Sequence, residues 1–314
     1  MMNRITSAVT GLTRRMIRRL RARQGHAALL RFYRQFIAPG GLCFDVGAHQ
    51  GNKAALFLAL GGRVVAVEPQ QDCIQRLRDR FGTDPQLTIV QAGLGATHGF
   101  RELWVHPGES ELASFSPDWS EVLNRHQPGL ASDQWQRIQT RMETLDRLIA
   151  QFGTPDYLKI DVEGFEAEVL VGLSVPVRNL SFEVLPFCHR AGIDSLRQLD
   201  RLGDYQFNHT FDEALGLASA RWVGVTEMQA TLTTLHRAGG PACDVFACLT
   251  SGQRQVGPVT PPEGLPFPHE VPGGTGFAPG RAHPATAEKL THEERTIIGS
   301  TAGVNPLLKE HLTG

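Results

Sequence analysis

The stretch Cys43-Phe44-Asp45-Val46-Gly47-Ala48-His49-Gln50-Gly51 decides the fold, because an apolar strand here ends in Asp-x-Gly-x-x-x-Gly and a helix opens behind it. Glycines at 47 and 51 suit a turn where chain and ligand approach at the carboxyl end of a parallel strand, with backbone N–H groups near a helix N-terminus facing the crevice. A dinucleotide-binding turn reads Gly-x-Gly-x-x-Gly, with glycine where this chain has Asp45 and Gln50. A carboxylate in the first position repels a pyrophosphate and suits an amine-bearing ligand. The aminoacyl part of S-adenosylmethionine offers such a group, an ammonium beside a sulfonium. For this motif alone, a glycine turn that binds nothing is the competing explanation.

Reading outward, Val64-Val65-Ala66-Val67 forms a second apolar run that ends in Glu68-Pro69. An acid about 20 residues beyond the glycine turn can accept hydrogen bonds from both hydroxyls of a ribose. Pro69 lacks an N–H and fixes the turn at the sheet edge. The two motifs together favour a nucleoside ligand without excluding NAD. Beyond them, strands expected at 42–46, 64–67, 87–91, 156–161, 180–184 and 205–208 alternate with helices at 53–60, 71–81, 144–152, 165–173 and 194–202. Such alternation implies an α/β fold, doubly wound around a mostly parallel sheet. It breaks once, at an inserted strand over 101–105 and a long irregular excursion over 109–135, the kind of segment that carries substrate contacts. A closing strand is expected at 244–249.

The second informative run is Asp156-Tyr157-Leu158-Lys159-Ile160-Asp161-Val162-Glu163-Gly164-Phe165-Glu166. In a strand Tyr157, Lys159 and Asp161 share one side, yet a buried parallel strand is normally apolar on both. Lys159 is explained either by an ion pair that only holds the sheet or by a polar cluster facing the ligand. A further acid, Glu183, ends the run Ser181-Phe182-Glu183-Val184-Leu185-Pro186.

In these segments, with Thr144-Leu145-Asp146-Arg147-Leu148 and Val169-Leu170, the chain resembles the FkbM family of S-adenosylmethionine-dependent methyltransferases. The resemblance covers about residues 40–250, and Lys159-Ile160-Asp161-Val162-Glu163-Gly164 is its most specific part. It implies a Rossmann-like class I methyltransferase sheet of seven strands, S-adenosyl-L-methionine as cofactor, and methylation of a hydroxyl on a secondary metabolite, sugar or glycan. Asp45, Gly47, His49, Gly51 and Glu68 then become the cofactor residues. His49 departs from the family, which commonly has Asn there, and that bears on hydrogen bonding around the cofactor rather than on the turn.

If the strands follow the usual order of such sheets, those ending in Asp45, Asp161 and Glu183 are neighbours, about 4.8 Å apart per step. Crowded carboxylates raise one another's pKa while a sulfonium and Lys159 lower them, so one can sit near the working pH. Asp161 is assigned as the base for the acceptor's proton, with Lys159 positioning it and Glu163 or Glu183 orienting the acceptor. No metal is required, although a divalent ion on Asp161 and a neighbouring acid is the alternative. Two other functions compete: a nicotinamide-dependent oxidoreductase, and a non-catalytic module that retains cofactor and recruits partners.

Lys and Arg number 31 against 32 Asp and Glu, for a net charge of -1, which argues against a surface built for nucleic acid. Five scattered cysteines form neither a disulfide framework nor paired zinc-binding Cys-x-x-Cys motifs. Residues 1–44 contain no Asp or Glu but many arginines, and Ile5, Val9, Leu12, Met16 and Leu20 recur on one helical face. This basic amphipathic arm, assigned to 1–39 with its helix at 3–22, suits an anionic membrane surface or an acidic partner. No apolar run is long enough for a signal peptide or a span, so a cytoplasmic enzyme is expected. The methyltransferase domain is assigned to 40–250. A Pro/Gly-rich tail follows at 251–314, with a short helix expected at 287–298.

Overall fold

The computed structural model describes residues 25–117, 119–126 and 134–250. The arm helix expected at 3–22, the tail and its expected helix lie outside the described residues. In chain order the elements are α1 (residues 25–33), β1 (Leu42–Val46), α2 (Asn52–Ala59), β2 (Arg63–Val67), α3 (Gln71–Phe81), β3 (Leu87–Val90), β4 (Gly93–Leu94) and β5 (Gly99–Val105). A 3₁₀ turn (Ser110–Leu112), α4 (Trp119–His126), β6 (Gln136–Glu143), α5 (Leu145–Phe152), β7 (Tyr157–Ile160), α6 (Glu166–Val171) and β8 (Asn179–Val184) follow. The described chain closes with α7 (His189–Leu202), β9 (Tyr205–Thr210), α8 (Val225–Arg237) and β10 (Cys243–Leu249).

Seven strands form one sheet in the order β3-β2-β1-β7-β8-β10-β9. All neighbours pair in parallel except β10, which runs antiparallel to both β8 and β9. The strands carrying Asp45, Lys159 and Glu183 are adjacent, as the sequence implied. β1 and β7 are buried along their whole length, as expected for central strands covered by helices on both faces.

Alternate residues divide between two cores. Phe44, Val46, Leu158, Ile160 and Phe182 enter a large cluster with α5, α6 and α7. Cys43, Val64, Ala66, Tyr157 and Phe246 enter a second cluster with Phe32, Tyr33, Phe36, Ile37 and Phe57. Tyr33, Phe36, Tyr157 and Phe246 interlock there at ring separations of 5.2–5.8 Å. This moves the domain boundary: residues 29–37, assigned to the arm, are part of the body. Their aromatic side chains need the apolar face that only the sheet provides.

The helices follow local chemistry. α7 buries Gly192, Ser195, Leu196 and Leu199, one face at helical spacing. Thr144 caps α5 by accepting the Arg147 N–H at 3.3 Å. α8 escapes a sequence reading because it is rich in threonine and buries only Met228 and Leu232. Thr231, Thr233 and Thr234 return their hydroxyls to the carbonyls four residues earlier, which satisfies them within the helix.

The break in alternation is a second sheet, β4-β6-β5. The strand expected at 101–105 is present as β5, and its antiparallel partner β6, with four exposed residues at its start, was not expected. Leu94, Leu103, Phe115 and Met142 pack this sheet into the main core. A bridge between Trp104 and Ser114 then returns the chain toward the carboxyl edge of the large sheet.

Candidate active site

Asp45 lies one residue before the end of β1, on the face that carries Tyr157, Lys159, Ser181 and Asp244. That face is apolar toward the strand starts and polar toward their carboxyl ends. Behind Asp45 the chain turns sharply: Gly47 adopts φ 80° and donates, with Ala48, to the Val67 carbonyl at 2.9 and 3.0 Å. A Cβ at Gly47 would overlap the Asp161 carbonyl oxygen, and one at Gly51 (φ 77°) would press on Phe81 and Leu77. The close approaches that demand glycine are therefore between chain segments, not only toward a ligand as the sequence suggested. His49 also has a left-handed backbone, φ 49°. Asn and His both tolerate that region, so the exchange of one for the other leaves the turn intact.

Glu68 is 2% exposed, and its carboxylate is held by two backbone donors, His49 N–H at 2.9 Å and Gln70 N–H at 2.8 Å. One donor on each oxygen leaves each a free lone pair, the arrangement needed for two hydroxyls. Burial pushes this carboxyl up to about 7 against the pull of those N–H groups. Ser110 closes over the same point: its hydroxyl meets His49 Nε2 at 2.8 Å and its carbonyl accepts from Gln70 Nε2 at 2.8 Å. Burial lowers His49 to about 4, so its ring is neutral at neutral pH.

Asp45 is 1% exposed, and among the described residues its Oδ2 has no hydrogen-bond partner. Burial pushes this carboxyl up to about 7, opposed by Lys53 and Lys159. A buried carboxylate oxygen left unpaired is costly unless a donor arrives. With Glu68 beside the same turn, the residues fit a ligand bearing both an ammonium and vicinal hydroxyls.

At the reacting edge, carboxylate oxygens of Asp161, Glu163 and Glu183 all lie within 4.8 Å of one another. Lys159, 1% exposed, pairs with Asp244 and reaches Asp161 at 3.5 Å. Burial alone would strip its proton, but the carboxylates around it, Asp161 and Asp244 foremost, hold its pKa well above the usual lysine value. Lys159 is thus both the sheet-holding ion pair and the neighbour of the acid cluster. Burial pushes Asp161 up as well, but Lys159 and Lys53 outweigh it and hold the carboxyl below its ordinary value. Burial, then the charge of Asp161, pushes Glu163 and Glu183 well up. The expectation that Asp161 titrates near the working pH is corrected: its neighbours titrate high and Asp161 stays ionised.

The turn Val162–Glu166 is built around Glu166, whose Oε1 accepts from Val162 N–H at 3.2 Å and Gly164 N–H at 3.1 Å. Glu163 sits in the left-handed region at φ 55°. Ser114, from the insertion, donates its hydroxyl to the Glu163 carbonyl at 2.7 Å. Beyond lie Leu112, Trp119, Leu123 and Leu185, with Trp135 and Phe187 against them. Among the described residues the ring nitrogens of His106, 8% exposed, and the indole N–H of Trp135 have no hydrogen-bond partner, although the two rings meet edge to face at 5.3 Å.

Four participants lie outside the motifs singled out in the sequence. Tyr33 and Lys53 both donate to Glu213, which is 2% exposed, and Asp244 pairs with Lys159. Of these only Asp244 stood in a recognisable context, as a lone charge opening an apolar run.

A family model described as "Methyltransferase FkbM domain" matches residues 45–215, more than half of the chain. A search of curated proteins finds no match. Among solved structures the chain is similar to a precorrin-6Y C5,15-methyltransferase from Geobacter metallireducens, at 13% identity and TM-score 0.36 over 72% of this chain and 86% of that one. It is also similar to a TehB-like SAM-dependent methyltransferase from Corynebacterium glutamicum, at 12% identity and TM-score 0.36 over 71% and 88% of the two chains. A methyltransferase from Streptococcus mutans in complex with SAH gives 10% identity and TM-score 0.32 over 70% and 94%.

Proposed function

The chain belongs to the FkbM methyltransferase family, and from that premise we propose that it methylates a hydroxyl oxygen of a small-molecule or glycan acceptor. Its cofactor is S-adenosylmethionine, which supplies an electrophilic methyl group when bound. Family membership removes the nicotinamide alternative. Asp45 and Glu68 are the residues to hold the cofactor, through its ammonium and its ribose hydroxyls. The oxygen-directed reading is carried by one observation: three acids from neighbouring segments converge beside the cofactor turn, with Asp161 alone kept ionised. A hydroxyl nucleophile must lose a proton as it attacks, and Asp161 is the acid of the three to receive it. Lys159 fixes that carboxylate, Glu163 and Glu183 orient the hydroxyl as donors, and the insertion wall excludes water.

Labelled S-adenosylmethionine incubated with purified protein and host extract tests the reading. Label recovered as a methyl ether supports it; label on nitrogen, carbon or sulfur overturns it. The same cluster favours a second reading, in which Asp161, Glu163 and Glu183 hold a divalent cation that acidifies the hydroxyl. In that case chelation abolishes methyl transfer and added Mg²⁺ or Mn²⁺ restores it; turnover unchanged in chelator excludes the metal.

Among the described residues no helix is long and apolar enough to cross a membrane. The acid-free arm is assigned, on its composition, to contact with an anionic surface. Flotation with anionic and neutral vesicles tests this: equal recovery of full-length protein on both removes it.

A further inference from the structure

Asp45 presents a contradiction that its surroundings resolve. Its Oδ2 is buried and unpaired, although the charges of Lys53 and Lys159 both act on it. Among the described residues neither lysine forms an ion pair with Asp45: Lys159 is committed to Asp244 and Asp161, and Lys53 to Glu213. Lys53 is the second residue of α2, the helix that opens directly behind the glycine turn.

Glu213 draws Lys53 away. It stands in the loop after β9, 2% exposed, with Oε1 taking the Tyr33 hydroxyl and Oε2 the Lys53 ammonium. Lys53 Nζ also lies 5.3 Å over the Tyr33 ring. These three residues come from α1, α2 and a distant loop, so the contact joins parts of the chain 180 and 160 positions apart. If the assembly served stability alone, a direct Lys53–Asp45 pair would satisfy the carboxylate that is instead left open.

We propose that Tyr33 and Glu213 tether Lys53 so that Asp45 stays free for the ammonium of S-adenosylmethionine. The proposal rests on the cofactor assignment and makes Tyr33, Glu213 and Lys53 positioning residues, none of which need touch the ligand. Loss of the tether lets Lys53 swing to Asp45 and compete with the incoming ammonium for the same oxygen.

Two ligands separate this from a general loss of structure. S-adenosylhomocysteine carries the ammonium, and 5′-methylthioadenosine keeps the nucleoside but lacks the aminoacyl part. By calorimetry on the full chain, Glu213→Gln should weaken S-adenosylhomocysteine by about ten- to a hundredfold, the range of a charge-assisted hydrogen bond, with little change for 5′-methylthioadenosine. Adding Lys53→Met to Glu213→Gln should restore most of the lost affinity, since the competitor is gone. Tyr33→Phe, which removes one donor and keeps the ring, should shift the ratio of the two affinities in the same direction by less. It keeps the test open if Glu213→Gln fails to fold. Equal weakening of both ligands, or no rescue by Lys53→Met, overturns the tether. Wild-type protein that binds neither ligand overturns the cofactor premise, and the tether with it.

Discussion

The two ends of the carboxyl edge handle the same problem in opposite ways. At the cofactor end, Asp45 and Glu68 are buried acids, and Glu68 is held by the backbone N–H groups of His49 and Gln70. At the reacting end, Lys159 lies beside Asp161, and burial followed by the charge of Asp161 pushes Glu163 and Glu183 well up. Backbone donors cannot leave, so the first arrangement is fixed in place, although burial pushes both of its carboxyls up to about 7. Side-chain cations can shift, so the second arrangement can rearrange around a change of charge.

The sharpest way to break this contrast is Asp161→Asn, which removes the ionised acid while keeping its shape. Turnover should fall by about 10²–10⁴-fold in chelator, with S-adenosylhomocysteine affinity nearly intact by calorimetry. Full turnover by that variant would reduce the reacting end to scaffold. Gly47→Val should strike both ends, because its side chain would overlap the Asp161 carbonyl in a left-handed turn. A loss of about 2–5 kcal/mol in stability is expected, read from urea unfolding. A stable variant that lost only cofactor affinity would shift the role of Gly47 toward the ligand. Glu68→Ala should weaken S-adenosylmethionine by about 1.5–3 kcal/mol without comparable loss of fold. Unchanged affinity would remove Glu68 from the site.

The smallest effect is a pH dependence, and its sign distinguishes the ends. The Asp45 carboxyl is raised from 3.8 to about 7 in the ligand-free fold. A raised folded-state pKa contributes stability that is complete below the unfolded value and lost as pH rises through about 7. The ammonium needs the ionised form, so affinity for S-adenosylhomocysteine should rise between pH 5.5 and 7, by up to about tenfold per unit, with proton release. 5′-Methylthioadenosine should show less of this. Titrations in buffers of different ionisation enthalpy would measure the protons, and an identical profile for both ligands would detach the effect from Asp45.

Legibility in the sequence followed the range of the interactions. The turn at 45–51 and Glu68 are local, set by glycines and by strand ends, and both could be read. The adjacency of Asp45, Lys159 and Glu183 followed from strand order and side-chain alternation. Tyr33, Glu213 and the β6 partner of the inserted strand could not be read, because they lie in segments with no periodic signature. Tyr33 was hidden further by the arginines around it, which gave residues 1–39 one apparent character although the aromatic part belongs to the core. The electrostatics of Asp161 depend, beyond burial, first on Lys159 and then on Lys53, whose charge acts there only once α2 is folded against β1.

Gly47 has a consequence for how such an enzyme can diversify. Its backbone lies against that of Asp161, so the turn proposed to seat the donor and the acid proposed to receive the proton are one mechanical unit. Neither can be moved to suit a new substrate without moving the other. Changes of acceptor must therefore come from outside that joint, and the insertion, tied to it by the Ser114 hydroxyl on the Glu163 carbonyl, is the part free to vary. Acceptor range should be transferable between relatives by exchanging that segment, with the distance from methyl donor to base carried over unchanged.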